Sequence, residues 1–170
     1  KRFHNIKIYT MDRSEYTPGK SLNFGISKTS KGTEIVGIVS SHCQIRDVDK
    51  KLIKTYFSDE KCSAVFGKQI PVYRGKKIRM RYIWDNFNVN TPVTNPLENI
   101  EIERHFFHNA FSFVRKTHVQ TIPFDEDLSG KEDRYWAEKV VSSGNHYVLD
   151  PSIVCLHHWT DKGATWSGIG

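Results

Sequence analysis

Short apolar runs alternate with charged stretches along the chain, and their spacing predicts an order of strands and helices. Ile6 to Tyr9 alternate apolar and polar residues and predict a short strand. Tyr16-Thr17-Pro18-Gly19 has the composition of a turn. Ser21 to Lys31 predict a helix with Leu22 and Ile26 facing inward, and Gly32 stands where a C-terminal capping glycine belongs. Thr33 to Val39 are almost continuously apolar and β-branched, the pattern of a central strand covered on both faces. Val48 to Phe57 predict a second helix with Asp47 as its N-cap; Leu52, Ile53, Tyr56 and Phe57 fall on one face, and Lys50, Lys51 and Lys54 on the other. Ala64 to Phe66 predict a strand. Gly130 to Ser143 predict a helix that buries Trp136, Ala137, Val140 and Val141, with Gly144 after its end. Ser152 to Leu156 predict a closing strand that delivers His157 and His158. This order predicts an α/β fold built on an open sheet flanked by helices.

Residues 70–99 interrupt the pattern. Arg74, Lys76, Lys77, Arg79 and Arg81 crowd together with Tyr73, Tyr82, Trp84 and Phe87 between them, and a Thr/Asn/Pro stretch follows from Asn88 to Pro96. The expectation is a basic and aromatic surface insertion outside the core. Clustered cations with stacking rings are a recipe for single-stranded nucleic acid. No recognition signature surrounds them, so nucleic acid is not the expected partner. Peripheral contact with an anionic membrane is the other reading of the same charges.

Composition narrows the choices. A length of 170 residues with 38% hydrophobic residues predicts one globular domain over 1–170, with a C-terminal tail at 159–170. Lys and Arg number 25 against 19 Asp and Glu, a net charge of +6 that suits phosphate-bearing partners. The longest apolar run, Ile35 to Val39, is far short of a membrane span, and no apolar leader follows Lys1. The three cysteines, Cys43, Cys62 and Cys155, contain no CxxC pair, which excludes a disulfide framework and predicts a cytoplasmic setting. Together with the histidines they match no standard zinc finger, so a zinc site is not expected.

Four blocks carry a resemblance. Gly19-Lys20-Ser21-Leu22-Asn23-Phe24-Gly25-Ile26 precedes Ser30-Lys31-Gly32; Ile38-Val39-Ser40-Ser41-His42-Cys43 follows. Then come Pro123-Phe124-Asp125-Glu126 with Gly130 to Ala137, and finally Pro151 to His158. In this order and spacing they resemble the C-terminal portion of the family 2 glycosyltransferases, inverting enzymes of GT-A fold that use nucleotide-sugar donors. The resemblance implies a partial GT-A (Rossmann-like) open mixed sheet and a role in bacterial surface-polysaccharide synthesis. It also implies a nucleotide-sugar donor and a glycan or lipid-linked acceptor. The family's opening blocks, which hold the nucleotide, have no counterpart, so the chain resembles an enzyme truncated at its N-terminus; a start at Lys1 fits such a piece. Ser40-Ser41-His42 replaces the family's Asp-x-Asp and resembles the Asp-x-His of polypeptide N-acetylgalactosaminyltransferases and the Ser-x-His of some bacterial members. A divalent metal, Mn²⁺ or Mg²⁺, is implied by the family, and the lost carboxylates leave its use open.

The candidate residues follow from the residue chemistry and the resemblance together. Ser40 to His42 end a strand, where open α/β sheets bind ligands. His157 ends another strand and matches the family's metal-ligand histidine, so His42 and His157 form a candidate metal or pyrophosphate site; the alternative is a hydrogen-bonded histidine at the edge of the core. Ser129 and Glu132 have the spacing of a helix capping box. Asp133 matches the family's general base, although an acid in a first helical turn is also favoured by the helix dipole. Ser40, Ser41, Gln69 and Asn23 are the donor-side candidates by resemblance. Glu132, Asn109 and Asp125 are acceptor-side or supporting candidates. The rival readings are a non-catalytic binding module of the same fold and, less favoured, a basic nucleic-acid-binding domain.

Overall fold

Thr17 and Pro18 begin a helix rather than a turn. The Thr17 hydroxyl accepts the Lys20 N–H at 3.1 Å, and proline fits the first helical position because its missing N–H would have no partner there. Helix α1 therefore spans Pro18–Ser27, with Ile26 buried and Leu22 against the core. It closes at Lys28, whose N–H reaches Phe24 and Gly25, so Gly32 lies in an exposed turn and caps nothing. The computed structural model describes residues 5–46, 48–77 and 87–159. Ile6 to Tyr9 form no strand; no described strand lies beside them, and Ile6 and Ile8 face solvent.

The strands are β1 (Ile35–Val39), β2 (Cys43–Ile45), β3 (Cys62–Tyr73), β4 (Lys76–Lys77), β5 (Val93–Thr94), β6 (Leu97–Asn99), β7 (Arg104–His105), β8 (Phe111–Arg115) and β9 (His146–Trp159). One mixed sheet runs β1-β8-β3-β9-β2, with β4 beside β3 and β5 beside β9; β6 and β7 pair separately. The parallel pair β3–β9 forms the spine, from Cys62 opposite His146 to Tyr73 opposite Trp159, and its neighbours are antiparallel. Both spine strands are longer than the apolar cores that predict them. Side chains alternate across the sheet. Ala64 and Phe66 join a cluster with Phe106, Phe107, Phe124, Trp136 and Tyr147, while Val65 joins Ile53, Phe57, Phe111 and Ile153 on the opposite face.

Two sheet expectations change. The β1 run reads as a central strand, yet β1 pairs with β8 on one side and with no other strand among the described residues, which leaves Val39 exposed. Residues 70–99 are not wholly a surface insertion. Ile70 to Tyr73 complete β3, Phe87 is buried in the aromatic cluster, and β5 pairs with β9. Burial of one ring outweighs the polar composition around it. Arg79, Arg81, Tyr82 and Trp84 lie outside the described residues, as does most of the 159–170 tail.

Helix α2 spans Lys50–Tyr56 and is capped by Asp49, which accepts the Lys51 N–H at 2.8 Å; the expected cap, Asp47, lies outside the described residues. Helix α3 (Lys116–Thr121) was not signalled by its polar sequence. Helix α4 (Glu132–Ser142) ends before Gly144, whose φ of 79° suits glycine. At its start the capping box does not form. Lys131 is the N-cap, in a left-handed conformation with φ 65°, and no side chain caps the helix, so Glu132 occupies the first helical position. Trp136 is buried as expected, and its indole N–H donates to Ile122 O at 2.7 Å.

Two glycines in α1 have opposite roles. A Cβ on Gly19 would lie 2.0 Å from Asp125 O, whereas one on Gly25 would meet nothing within 4 Å. Gly19→Ala should lower unfolding stability by about 1–3 kcal/mol. Gly25→Ala should raise it by about 0.5–1 kcal/mol. Urea unfolding of both variants checks the pair, and equal effects would contradict the contact.

Candidate active site

Five parts of the fold converge on one cavity of about 450 Å³. The turn after β1 supplies Ser40 and His42, β3 supplies Gln69 and β9 supplies His157. The β7–β8 connection brings His108 and Asn109, and the start of α4 brings Ser129 to Arg134. Local bonds fix these pieces. Ser40 N–H donates to Ala110 O at 2.9 Å, tying the β1 turn to the loop before β8. His158 N–H donates to His42 O at 2.9 Å, tying the same turn to β9. Of the sequence candidates, Ser40, His42, Gln69, Asn109, Glu132, Asp133 and His157 meet at the cavity.

Ser41, Asn23 and Asp125 do not line it. Ser41 is exposed. Asn23 clamps α1 to the loop before α4: its amide donates to Phe124 O and Glu126 Oε1, each at 2.9 Å, and its oxygen accepts Phe124 N–H. Both ends of the amide are thus engaged in holding that loop, away from the cavity. Asp125 accepts Asp127 N–H at 3.1 Å and presses its carbonyl onto Gly19, so it supports the loop that leads into α4.

Several buried polar atoms at the cavity make no well-aligned hydrogen bond: Gln69 Nε2, His108 Nε2 and both amide atoms of Asn109. Asn109 lies close enough to Glu132 to favour its ionised form, without good bonding geometry. An unpaired buried polar group costs about 1–3 kcal/mol. A cluster of them around one cavity is what a ligand rich in hydroxyl groups would satisfy.

Asp133 is the most perturbed acid. Its side chain is 15% exposed. Burial and the neighbouring Glu132 charge push its carboxyl up to about 7, against the opposing pull of Arg134. Burial raises Glu132 as well. His108 Nδ1 lies 3.8 Å from Asp133 Oδ2. Burial, followed by the charges of Arg134 and His157, lowers His108 to about 3, so at neutral pH this contact is dipolar and not an ion pair. Arg134 in turn stands 3.2 Å from Glu98 Oε2. Glu98 belongs to the polar stretch that reads as an insertion, and only the fold brings it beside Asp133's neighbour. Lys131, Arg134 and His108 are site residues that the sequence reasoning did not assign; Arg134 and Lys131 lie beside the Glu132-Asp133 pair.

His42 and His157 stack with ring centroids 4.5 Å apart. Burial lowers both imidazoles, His157 to about 3, so they present lone pairs rather than positive charge. Adjacent Cys43 adds a sulfur, and one ligand atom from each of the three lies within 4.8 Å of the others. This donor chemistry fits a divalent cation better than a bare phosphate.

No protein-family model matches the chain. It is 25% identical over 164 residues to the O-antigen chain rhamnosyltransferase RfbN of Salmonella typhimurium, covering 93% of this chain and 52% of the relative. It is 21% identical over 160 residues to the O-antigen chain rhamnosyltransferase WbaN of Salmonella anatum, covering 91% and 51%. The chain thus spans about half the length of the curated relatives it matches. Crystal structures of S. aureus TarS share the fold, with a TM-score of 0.57 and 18% identity over 85% of this chain and 25% of that one. A structure of TarS residues 1–349 gives 0.51 and 19%, over 86% and 39%. The resemblance read from the four sequence blocks is borne out. The relatives in sequence are glycosyltransferases of bacterial surface polysaccharide, and the fold is a mixed α/β sheet of the GT-A type.

The electrostatics predict the titration of Asp133. Carboxyl-carbon NMR should give a midpoint near 7. Glu132→Gln should lower that midpoint by removing a like charge, and Arg134→Gln should raise it by removing an opposite one. An ordinary carboxylate midpoint for Asp133 would contradict the assignment.

Proposed function

We propose that this chain forms the acceptor-side half of an inverting glycosyltransferase acting in surface-polysaccharide synthesis, with a nucleoside diphosphate sugar as donor and a glycan or lipid-linked hydroxyl as acceptor. The observation that carries the proposal is the placement of Asp133, an acid raised to about 7, beside a cavity where Gln69 Nε2 and both amide atoms of Asn109 lack well-aligned partners. A base with that affinity accepts a proton efficiently near neutral pH. The relatives' names make rhamnose the first donor sugar to test.

In the proposed step the acceptor oxygen attacks the anomeric carbon while Asp133 takes the hydroxyl proton. The bond from that carbon to the donor phosphate breaks on the opposite face, and the nucleoside diphosphate leaves with the electron pair. Gln69 and Asn109 would bond the sugar hydroxyls and hold the ring for in-line attack. His42 and His157 would hold a divalent cation, whose charge offsets that of the departing pyrophosphate. Asp133 must be ionised to act, so the rate should rise with pH through about 7.

The β1 edge, unpaired among the described residues, is where a longer protein would add strands. Those strands would complete the nucleotide site, so the assay uses the full-length protein. Peripheral contact with anionic membrane fits the net charge of +6. No helix of the described residues is long and apolar enough to cross a membrane.

Asp133→Asn in the full-length protein should reduce transfer about 10²–10⁴-fold and leave donor affinity unchanged. Radiolabelled sugar transfer and calorimetry measure the two quantities. Near-normal turnover would remove Asp133 from the mechanism, and donor binding without transfer under every divalent ion would identify a binding module instead.

A further inference from the structure

We propose that Cys43 is a third ligand to the cation at His42 and His157, and that the resulting two-nitrogen, one-sulfur set selects a thiophilic divalent ion of the Zn²⁺ class over Mg²⁺. The inference deepens the reading of that histidine pair as the cation side of the site, and it rests on the placement of three side chains. Cys43 and His157 are register partners across the antiparallel β2–β9 pair, so both project from one face of the sheet. His42 precedes Cys43 and is drawn to β9 by the His158 N–H bond to its carbonyl. Donor atoms of the three residues lie within 4.8 Å of one another. Ligands at about 2.0–2.3 Å from a tetrahedral ion lie roughly 3.4–3.8 Å apart, so modest side-chain adjustment closes the set.

The support for His157 has the form that metal-binding histidines use. Its Nδ1 lies 2.7 Å from Gln69 Oε1, a carbonyl oxygen that can only accept. The hydrogen therefore resides on Nδ1, and Nε2 becomes the nitrogen that donates a lone pair. The chemistry of the set then selects the ion. Mg²⁺ takes oxygen ligands, whereas imidazole and thiolate together suit Zn²⁺ and its spectroscopic substitute Co²⁺. The sequence expectation against zinc considered finger-type spacing, and strand pairing supplies the proximity that spacing along the chain does not.

Co²⁺ titration of the purified chain under reducing conditions, followed by absorption spectroscopy, tests this. The expected result is a near-ultraviolet sulfur-to-cobalt charge-transfer band together with visible ligand-field bands. Zn²⁺ should displace the Co²⁺, and excess Mg²⁺ should not. Cys43→Ser should lose the charge-transfer band and keep the visible bands, while Cys155→Ser should keep both. Gln69→Ala should weaken Co²⁺ binding about 10–100-fold and preserve the band at saturation. Circular dichroism confirms that each variant is folded. Co²⁺ bound with no sulfur band, no binding at all, or a band lost with Cys155 instead of Cys43 would overturn the proposal. If the band is present while transfer is insensitive to Asp133, the ion site stands and the glycosyl-transfer reading fails.

Discussion

Gln69 on β3 and His157 on β9 stand on parallel neighbouring strands, and the 2.7 Å bond between them joins the sheet to the site. The pairing that makes this bond carries a register shift between Gly67 and Lys68, just before Gln69. Gly67 permits it, because a Cβ there would lie 2.5 Å from Ile153 O. A bulge of this kind re-aims the residues that follow. A one-residue slip would turn Gln69 or His157 to the opposite face and disperse the cavity. The site's geometry is thus a property of strand register, and the loops around it are fastened to the strands by Ser40 and His42.

The same region concentrates unfavourable burial. Asp133 and Glu132 are adjacent acids that both resist ionisation, and Arg134 offsets only part of the cost. Helix α4 also begins without a side-chain cap, on a left-handed lysine. Asp133 accepts the N–H of Arg134 at 2.9 Å within that first turn. The aromatic cluster beneath, with Trp136 stacked on Phe124 at 5.0 Å, supplies apolar burial that can sustain such a start. Strain and unpaired polar groups held over a well-packed core are what a preorganised site requires.

Periodicity made α1, α2, α4 and the cores of β1, β3 and β9 legible in the sequence, because each buries a regular stripe or face. It did not find their ends. Thr17-Pro18 carries both turn and helix-start chemistry, and the choice depends on contacts with the loop at 124–126. The apolar run of β1 could not reveal that it pairs on one side only among the described residues, since strand order depends on pairings distant in the chain. Among the residues that line the cavity, motif order had pointed to His42, Gln69, Asn109, Asp133 and His157. Asn23, matched by the same motifs, lies outside the cavity and bonds the loop at 124–126. Glu98 and His108 were hidden for the converse reason, since the placement of Glu98 against Arg134 and of His108 against Asp133 comes from tertiary packing alone.

The proposed donor-sugar site is the cavity beside Asp133. A crystal structure of the full-length protein with an intact nucleoside diphosphate sugar should show sugar hydroxyls bonded to the side-chain amides of Gln69 and Asn109, with the anomeric carbon open to an acceptor oxygen beside Asp133. A donor seated with its sugar remote from Gln69, Asn109 and Asp133 would contradict it.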